Sequence, residues 1–199
     1  MIEKLLSNGF ITFSVVDEIL DELYSNSLDN NLFNRIKVSH DSIANDTSIY
    51  LNDFHIHEIE KNKFIKDSNL KQIWHWKLEN HNTNLNNFLY DIFKEFYDYV
   101  LDDLVIYSTT TLFTKDCFID LHRDGANNDR IAGILIYLNK NYDESNGGLL
   151  IIENEEKIIP EFGNVVLLDY TQNNVQHEVT KVIEKDRRAI CAFIHKKIN

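Results

Sequence analysis

Apolar residues at Leu85, Phe88, Leu89, Ile92, Phe93, Phe96 and Val100 recur at three- and four-residue steps. That spacing lines one face of an α-helix and predicts one long amphipathic helix packed across a sheet. A second helix is predicted nearer the N-terminus, where Ser14-Val15-Val16-Asp17 has the form of a capping-box start and Val16, Ile19, Leu20 and Leu23 share a face. Residues 29–49 are polar, rich in Asn, Asp and Ser, and predict a loop. The first half of the chain, residues 1–103, therefore reads as mainly helical support. From Leu104 the period changes. LVIYSTTTLF, CFIDLH, IAGILIYLN, GGLLII, GNVVLLDY, VQHEV and RRAICAFIH are short runs of β-branched and aromatic residues separated by polar turns. About seven or eight short strands in about 90 residues suggest a barrel or sandwich. Helices first and strands afterwards is an α+β order.

Composition narrows the class without naming a chemistry. At 199 residues the chain fits a single domain, 1–199, able to bury about 70% of its unfolded surface. Apolar residues make up 43% and charged residues 26%, as in ordinary soluble globular proteins. No run approaches the roughly 18 apolar residues that a membrane crossing needs. MIEKLLSNGF carries Glu3 inside its short apolar run and no small-residue cleavage site, which argues against a signal peptide. Two cysteines, Cys117 and Cys191, make no disulfide framework, so reduced thiols in the cytoplasm are expected. Acidic residues outnumber basic ones 32 to 20, for a formal charge of −12. Nucleic-acid binders rely on a basic stripe that displaces counterions from phosphates. The one compact basic cluster here, Lys185, Arg187 and Arg188, is broken by Asp186. Neither nucleic acid nor membrane is expected as a partner, and the oligomeric state stays open.

Leu121-His122-Arg123-Asp124-Gly125 places an H-x-D pair at a predicted strand end. Residues two apart in a strand point to one face, so His122 and Asp124 can converge on an ion. With eight His and many Asp, about one such pair is expected by chance, so the pair alone carries little. A third ligand on a neighbouring strand completes a facial set of two His and one carboxylate, which leaves coordination positions open and is associated with non-haem iron(II) oxygenases. His177, in Val175-Gln176-His177-Glu178-Val179, suits that role. Arg187 then opens the strand Arg187-Arg188-Ala189-Ile190-Cys191. Facing inward, it could clamp one end of a dicarboxylate through a bidentate pair while the other end chelates the metal.

From His122 to Ala192 the chain resembles the catalytic core of 2-oxoglutarate/iron(II) dioxygenases, in particular the prolyl-hydroxylase-like branch. The matching pieces, in order, are H-R-D-G, Arg130 leading into I-L-I-Y-L-N-K-N-Y-D, G-G-L-L at 147–150, P-E-F-G-N-V-V-L-L at 160–168, H-E-V at 177–179 and R-R-A-I at 187–190. They span about a third of the chain, and residues 1–103 do not share in the likeness. The resemblance implies a double-stranded β-helix of the jelly-roll or cupin-like kind, with Fe(II), 2-oxoglutarate as co-substrate and O2. It implies that His122, Asp124 and His177 are the catalytic metal ligands. It also implies that Arg187 and Tyr137 hold the distal carboxylate of 2-oxoglutarate. Alternation from Arg187 puts Ala189, Cys191 and Phe193 on the same inward face, and Phe193 matches an aromatic that lines the substrate pocket. Asp124 keeps the carboxylate that related halogenases replace with a small residue, so hydroxylation of an unactivated C–H is expected.

The remaining candidates each carry two readings. Arg130 and Arg123 meet substrate at the mouth, or are solvated charges. Trp74-His75-Trp76 lines a substrate entrance, with Trp76 the candidate contact, or is a strand with its aromatics packed on the core. His55 and His57 could share a zinc ion, yet no third ligand lies near them in sequence. Cys191 has no paired base and reads as a packing residue rather than a nucleophile. The substrate is a peptidyl residue such as proline, or a free amino acid or small molecule. The rival to an enzyme is a non-catalytic cupin-like module that binds a metal or small molecule.

Overall fold

The computed structural model describes residues 2–30, 34–38, 72–77, 83–124, 129–153 and 156–197. Within them are β1 (Phe10–Ser14), β2 (Asn34–Val38), β3 (Gln72–Lys77), β4 (Leu104–Phe113), β5 (Ile119–His122) and β6 (Arg130–Tyr137). Then follow β7 (Leu150–Ile152), β8 (Glu156–Ile158), β9 (Asn164–Asp169), β10 (His177–Val179) and β11 (Arg187–Lys196). The larger sheet has the order β1-β9-β6-β11-β4-β3-β2 and the smaller one β5-β10-β7-β8. Every pairing between these strands is antiparallel. The chain thus has the double-stranded β-helix expected of it, with eight strands from β4 to β11.

The central strands are apolar on both faces, which is why their sequences run unbroken instead of alternating with polar residues. In β6, Ile134 and Ile136 join a core shared with the helices, while Tyr137 joins the core between the sheets. Val165 and Leu167 of β9 face the helices, and Val166 and Leu168 face the smaller sheet. In β11, Ile190, Ala192 and Ile194 take the helical side and Ala189 the inter-sheet side. One face of the larger sheet is thereby closed by helices, and the other is left to build a site.

Among the described residues three helices close that face: α1 (Ile2–Asn8), α2 (Glu18–Ser27) and α3 (Thr83–Lys94). The capping expectation needs correcting. Asp17 is the N-cap of α2, accepting from the Ile19 amide at 2.9 Å. Ser14 instead ends β1 and its hydroxyl bonds Asn164 at 2.8 Å. Val16 therefore lies outside the helix and is fully exposed, whereas Leu20 and Leu23 are buried as expected. The long helix also stops short, at Lys94. Beyond it the chain turns toward the sheet, where the Tyr97 hydroxyl donates to buried Asp169 at 2.8 Å and its ring stacks on Phe93. Phe96 still packs on the core, but Val100 is exposed.

The described residues of the N-terminal half include strands as well as helices. They supply β1, β2 and β3 to the larger sheet, and β2 falls inside the stretch read as a loop. Short strands completed by partners distant in sequence leave little local signal. Phe93 has no exposed surface at the centre of the helical core. Phe93→Ala is expected to cost about 3–5 kcal/mol of stability, read as a lower urea midpoint with an unchanged slope. No helix among the described residues is long and apolar enough to cross a membrane.

Candidate metal centre and its cavity

β5 and β10 are antiparallel neighbours, and their register sets His122 directly opposite His177. The two imidazole rings lie 4.4 Å apart, centroid to centroid. Asp124 stands two residues beyond His122, past the end of β5, so strand alternation does not place it. Contacts from the segment before β10 do. The Asn174 side-chain amide donates to the Asp124 carbonyl at 2.8 Å. Arg123 donates to the Asn174 carbonyl at 2.8 Å and pairs with Glu153 at 3.0 Å. Glu153 in turn accepts from the Gln176 amide at 2.9 Å.

The result is a buried cluster in which His122, Asp124 and His177 bring one ligand atom each to within 4.8 Å of one another. His122 Nε2 lies 3.7 Å from Asp124 Oδ1, and His177 Nε2 lies 3.7 Å from Asp124 Oδ2. Nδ1 of His177 faces the Val175 carbonyl at 3.3 Å, which fixes the proton there and leaves the Nε2 lone pair for an ion. Burial works against ionisation of Asp124. His177 and His122, the hydrogen bond from Tyr170 and the charge of Arg130 outweigh it and hold the carboxyl below its usual range. Two nitrogens and one carboxylate oxygen on one side of an ion suit a six-coordinate first-row metal with positions left open.

The second feature is an uncompensated cation. Arg187 is 1% exposed, and among the described residues its Nε and Nη2 find no hydrogen-bond partner. Its guanidinium lies 5.0 Å from the ring centroids of both Phe113 and Tyr137. A buried charge without an anion is costly, so this arrangement fits a group that arrives with a carboxylate. Tyr137 is fully buried and its hydroxyl is likewise unpartnered. Burial raises its pKa against the opposing charge of Arg187, so the phenol stays a neutral donor. Gly148 makes room for this group. Its φ is +61°, and a Cβ there would lie 3.0 Å from Arg187 Cδ and 2.9 Å from the Tyr142 hydroxyl.

His122, Asp124, His177 and Arg187 all open onto one cavity of about 380 Å³. Tyr137 is not on its wall and stands behind Arg187. Phe193 and Cys191 line the cavity, as the alternation from Arg187 predicts. Burial raises the Cys191 thiol pKa, which suits a packing residue. Arg130, half-buried, also lines it. Its guanidinium sits 4.3 Å from the Phe193 ring centroid, with Nε buried and unpartnered. Arg123, in contrast, is spent on Glu153 and Asn174. Trp76 is placed by register beside Thr111 of β4, a residue of the cavity wall. His55 and His57 lie outside the described residues.

Two contributors escaped the sequence reading. Tyr170 donates a hydrogen bond to Asp124 Oδ2, and Asn174 holds the same residue by its backbone. Both lie in the turn between β9 and β10, where only the fold brings them to the His-Asp-His cluster. No spacing or motif could have singled them out.

Residues 107–195 match the family model of the 2OG-Fe(II) oxygenase superfamily. No curated protein matches the chain. Among solved structures it is similar to a Pseudomonas putida prolyl-4-hydroxylase at 12% identity and TM-score 0.65, covering 98% of this chain and 97% of that one. A Trichoplax adhaerens prolyl hydroxylase, solved with a hypoxia-inducible-factor peptide fragment, is similar at 16% identity and TM-score 0.68, covering 98% and 87%. A viral collagen prolyl hydroxylase from Paramecium Bursaria Chlorella virus-1, in a 2OG complex, is similar at 13% identity and TM-score 0.58, covering 96% and 97%. Residues 107–195 carry the whole cavity and its His-Asp-His cluster, so the part of the chain that is similar to the 2OG-Fe(II) oxygenase superfamily is the part that builds the site.

Proposed function

We propose that this chain is a hydroxylase in which His122, Asp124 and His177 hold Fe(II), and Arg187, backed by Tyr137, holds the distal carboxylate of 2-oxoglutarate. The observation that carries this reading is the pairing, in one cavity, of a His-Asp-His cluster with a buried arginine that has no anion among the described residues. A non-catalytic cupin-like module has no use for both at once. Iron with 2-oxoglutarate supplies, when bound, the oxidising power to take a hydrogen from an unactivated C–H and leave a hydroxyl.

The protein's own contribution is placement. Arg187 offers a planar fork of donors that matches a carboxylate in two directions, which fixes the co-substrate's orientation as well as its affinity. The neutral phenol of Tyr137 sits against that fork and can donate without adding charge. Apolar side chains from three strands, Ile119, Leu135 and Val179, keep water from the reacting end. Asp124 fills the carboxylate position, which favours hydroxyl over halide transfer.

The substrate we favour is a prolyl or similarly small residue within a peptide. The exposed end of the cavity is marked by Tyr107, with Phe193 and the stacked Arg130 forming a shelf for a small ring and a neighbouring carbonyl. Similarity to prolyl hydroxylases, one of them solved with a peptide, supports the same choice. The net charge of −12 argues against a nucleic-acid substrate, and residues 1–199 would act as one catalytic domain. Incubation with iron(II), 2-oxoglutarate and proline-bearing peptides is expected to yield succinate and a peptide heavier by one oxygen. Oxidation of free amino acids alone would move the substrate to small molecules. Absence of any iron-dependent succinate would remove the enzymatic reading.

A further inference from the structure

We propose that Tyr170 is a positioning residue for the metal-binding carboxylate: its hydroxyl holds one oxygen of Asp124 so that the carboxylate presents the other in a fixed direction. This rests on the iron assignment above. Asp124 lies past the end of β5, so its strand does not set its side-chain direction. Both of its oxygens lie 3.7 Å from an imidazole nitrogen, Oδ1 from His122 and Oδ2 from His177. A carboxylate so placed can present either edge to an ion. The hydrogen bond from Tyr170 to Oδ2 breaks that symmetry, because an ionised carboxylate only accepts and the phenol must therefore donate.

Tyr170 is itself held on three sides. Its amide donates to the Ile131 carbonyl at 3.0 Å. The preceding residue, Asp169, has no exposed surface and knots the turn by accepting from the Thr171 amide at 3.0 Å and the Gln172 amide at 3.2 Å. The same carboxylate accepts from the Tyr97 hydroxyl, which ties the turn to the helical side. The Tyr170 ring lies beside Phe193, with centroids 6.5 Å apart, and under Arg130 at 5.7 Å.

The third side is a missing side chain. Gly133 in β6 lies directly beneath the ring, and a Cβ there would stand 2.4 Å from the Tyr170 hydroxyl oxygen and 3.0 Å from Cζ. Within the apolar run of β6, glycine is the one residue that lets the phenol reach Asp124. Ordered outer partners of this kind are typically worth about 10- to 100-fold in metal affinity.

The test is anaerobic titration of the metal-free protein with Co(II), following its visible ligand-field spectrum, for wild type, Tyr170→Phe, Gly133→Ala and the double variant. Tyr170→Phe keeps the ring between Phe193 and Arg130, so the metal-free melting temperature should stay within a degree or so of wild type. Its Co(II) affinity should fall about tenfold, with a changed spectrum. Gly133→Ala should weaken Co(II) binding too, and by less in the Tyr170→Phe background, where the hydroxyl it displaces is already gone. Wild-type affinity and spectrum in Tyr170→Phe would overturn the proposal and leave the iron site standing. An equal effect of Gly133→Ala in both backgrounds would also overturn it, by separating glycine from hydroxyl. A wild-type protein that binds no Co(II) overturns the metal reading and this proposal with it.

Discussion

Arg187→Ala is expected to raise the 2-oxoglutarate requirement by about 30- to 5,000-fold, the equivalent of about 2–5 kcal/mol for losing one partner of a buried charge pair. The size follows from the setting. The guanidinium is sequestered, with two nitrogens unpartnered until an anion arrives, so the interaction forms out of reach of water and is weakly screened. Its loss falls on co-substrate binding, because Arg187 lies on the cavity wall while three other residues make up the metal cluster. Saturating 2-oxoglutarate should therefore recover much of the turnover, and Co(II) affinity should be unchanged. Arg187→Lys should recover only part of the binding, since a point charge on a flexible stem cannot match both carboxylate oxygens. Steady-state measurement of succinate against 2-oxoglutarate concentration checks this, and an unchanged half-saturation value would remove Arg187 from the role.

His177→Ala is expected to abolish turnover at every 2-oxoglutarate concentration. It should weaken metal binding by more than the roughly 10- to 100-fold that loss of an outer partner causes. His177 is the cross-strand partner of His122 and the nearer imidazole to Asp124 Oδ2. Without it, two donors remain and the facial set is broken. Thermal melting separates this from misfolding. Metal at about 100 times its dissociation constant stabilises the folded state by about 2.7 kcal/mol, so the wild-type melting temperature should rise on adding Co(II) while the variant's should not. The two variants thus fail differently: one is rescued by excess co-substrate and the other by nothing.

The parts of the site that were legible in the sequence are those carried by regular strands. Arg187, Cys191 and Phe193 face the cavity as the two-residue period of β11 requires. The apolar runs of β6 and β9 correctly announce strands buried on both faces. The misreadings fall where a local pattern competes with a distant partner. Ser14 resembles a cap, yet β1 pairs with β9 across about 150 residues and claims it for the sheet. Val100 continues a helical spacing, yet Tyr97 draws the chain toward Asp169 before the helix can reach it.

The sequence by itself determined the residue types of the cluster, their order and the strands that carry the two histidines and Arg187, because period and residue chemistry are local properties of a chain. It anticipated the convergence of Asp124 with the two histidines for a different reason, since that carboxylate lies beyond its strand and is held by Asn174 and Tyr170 from another part of the chain. Only the tertiary structure decided that Arg187 would be buried with two nitrogens unpartnered among the described residues and that Arg130 would lie over Phe193. It alone revealed that Gly133 lies against the Tyr170 phenol, where a Cβ would collide with the hydroxyl. Burial and cross-strand register depend on residues far apart in sequence, and those contacts exist only once the two sheets have closed on one another.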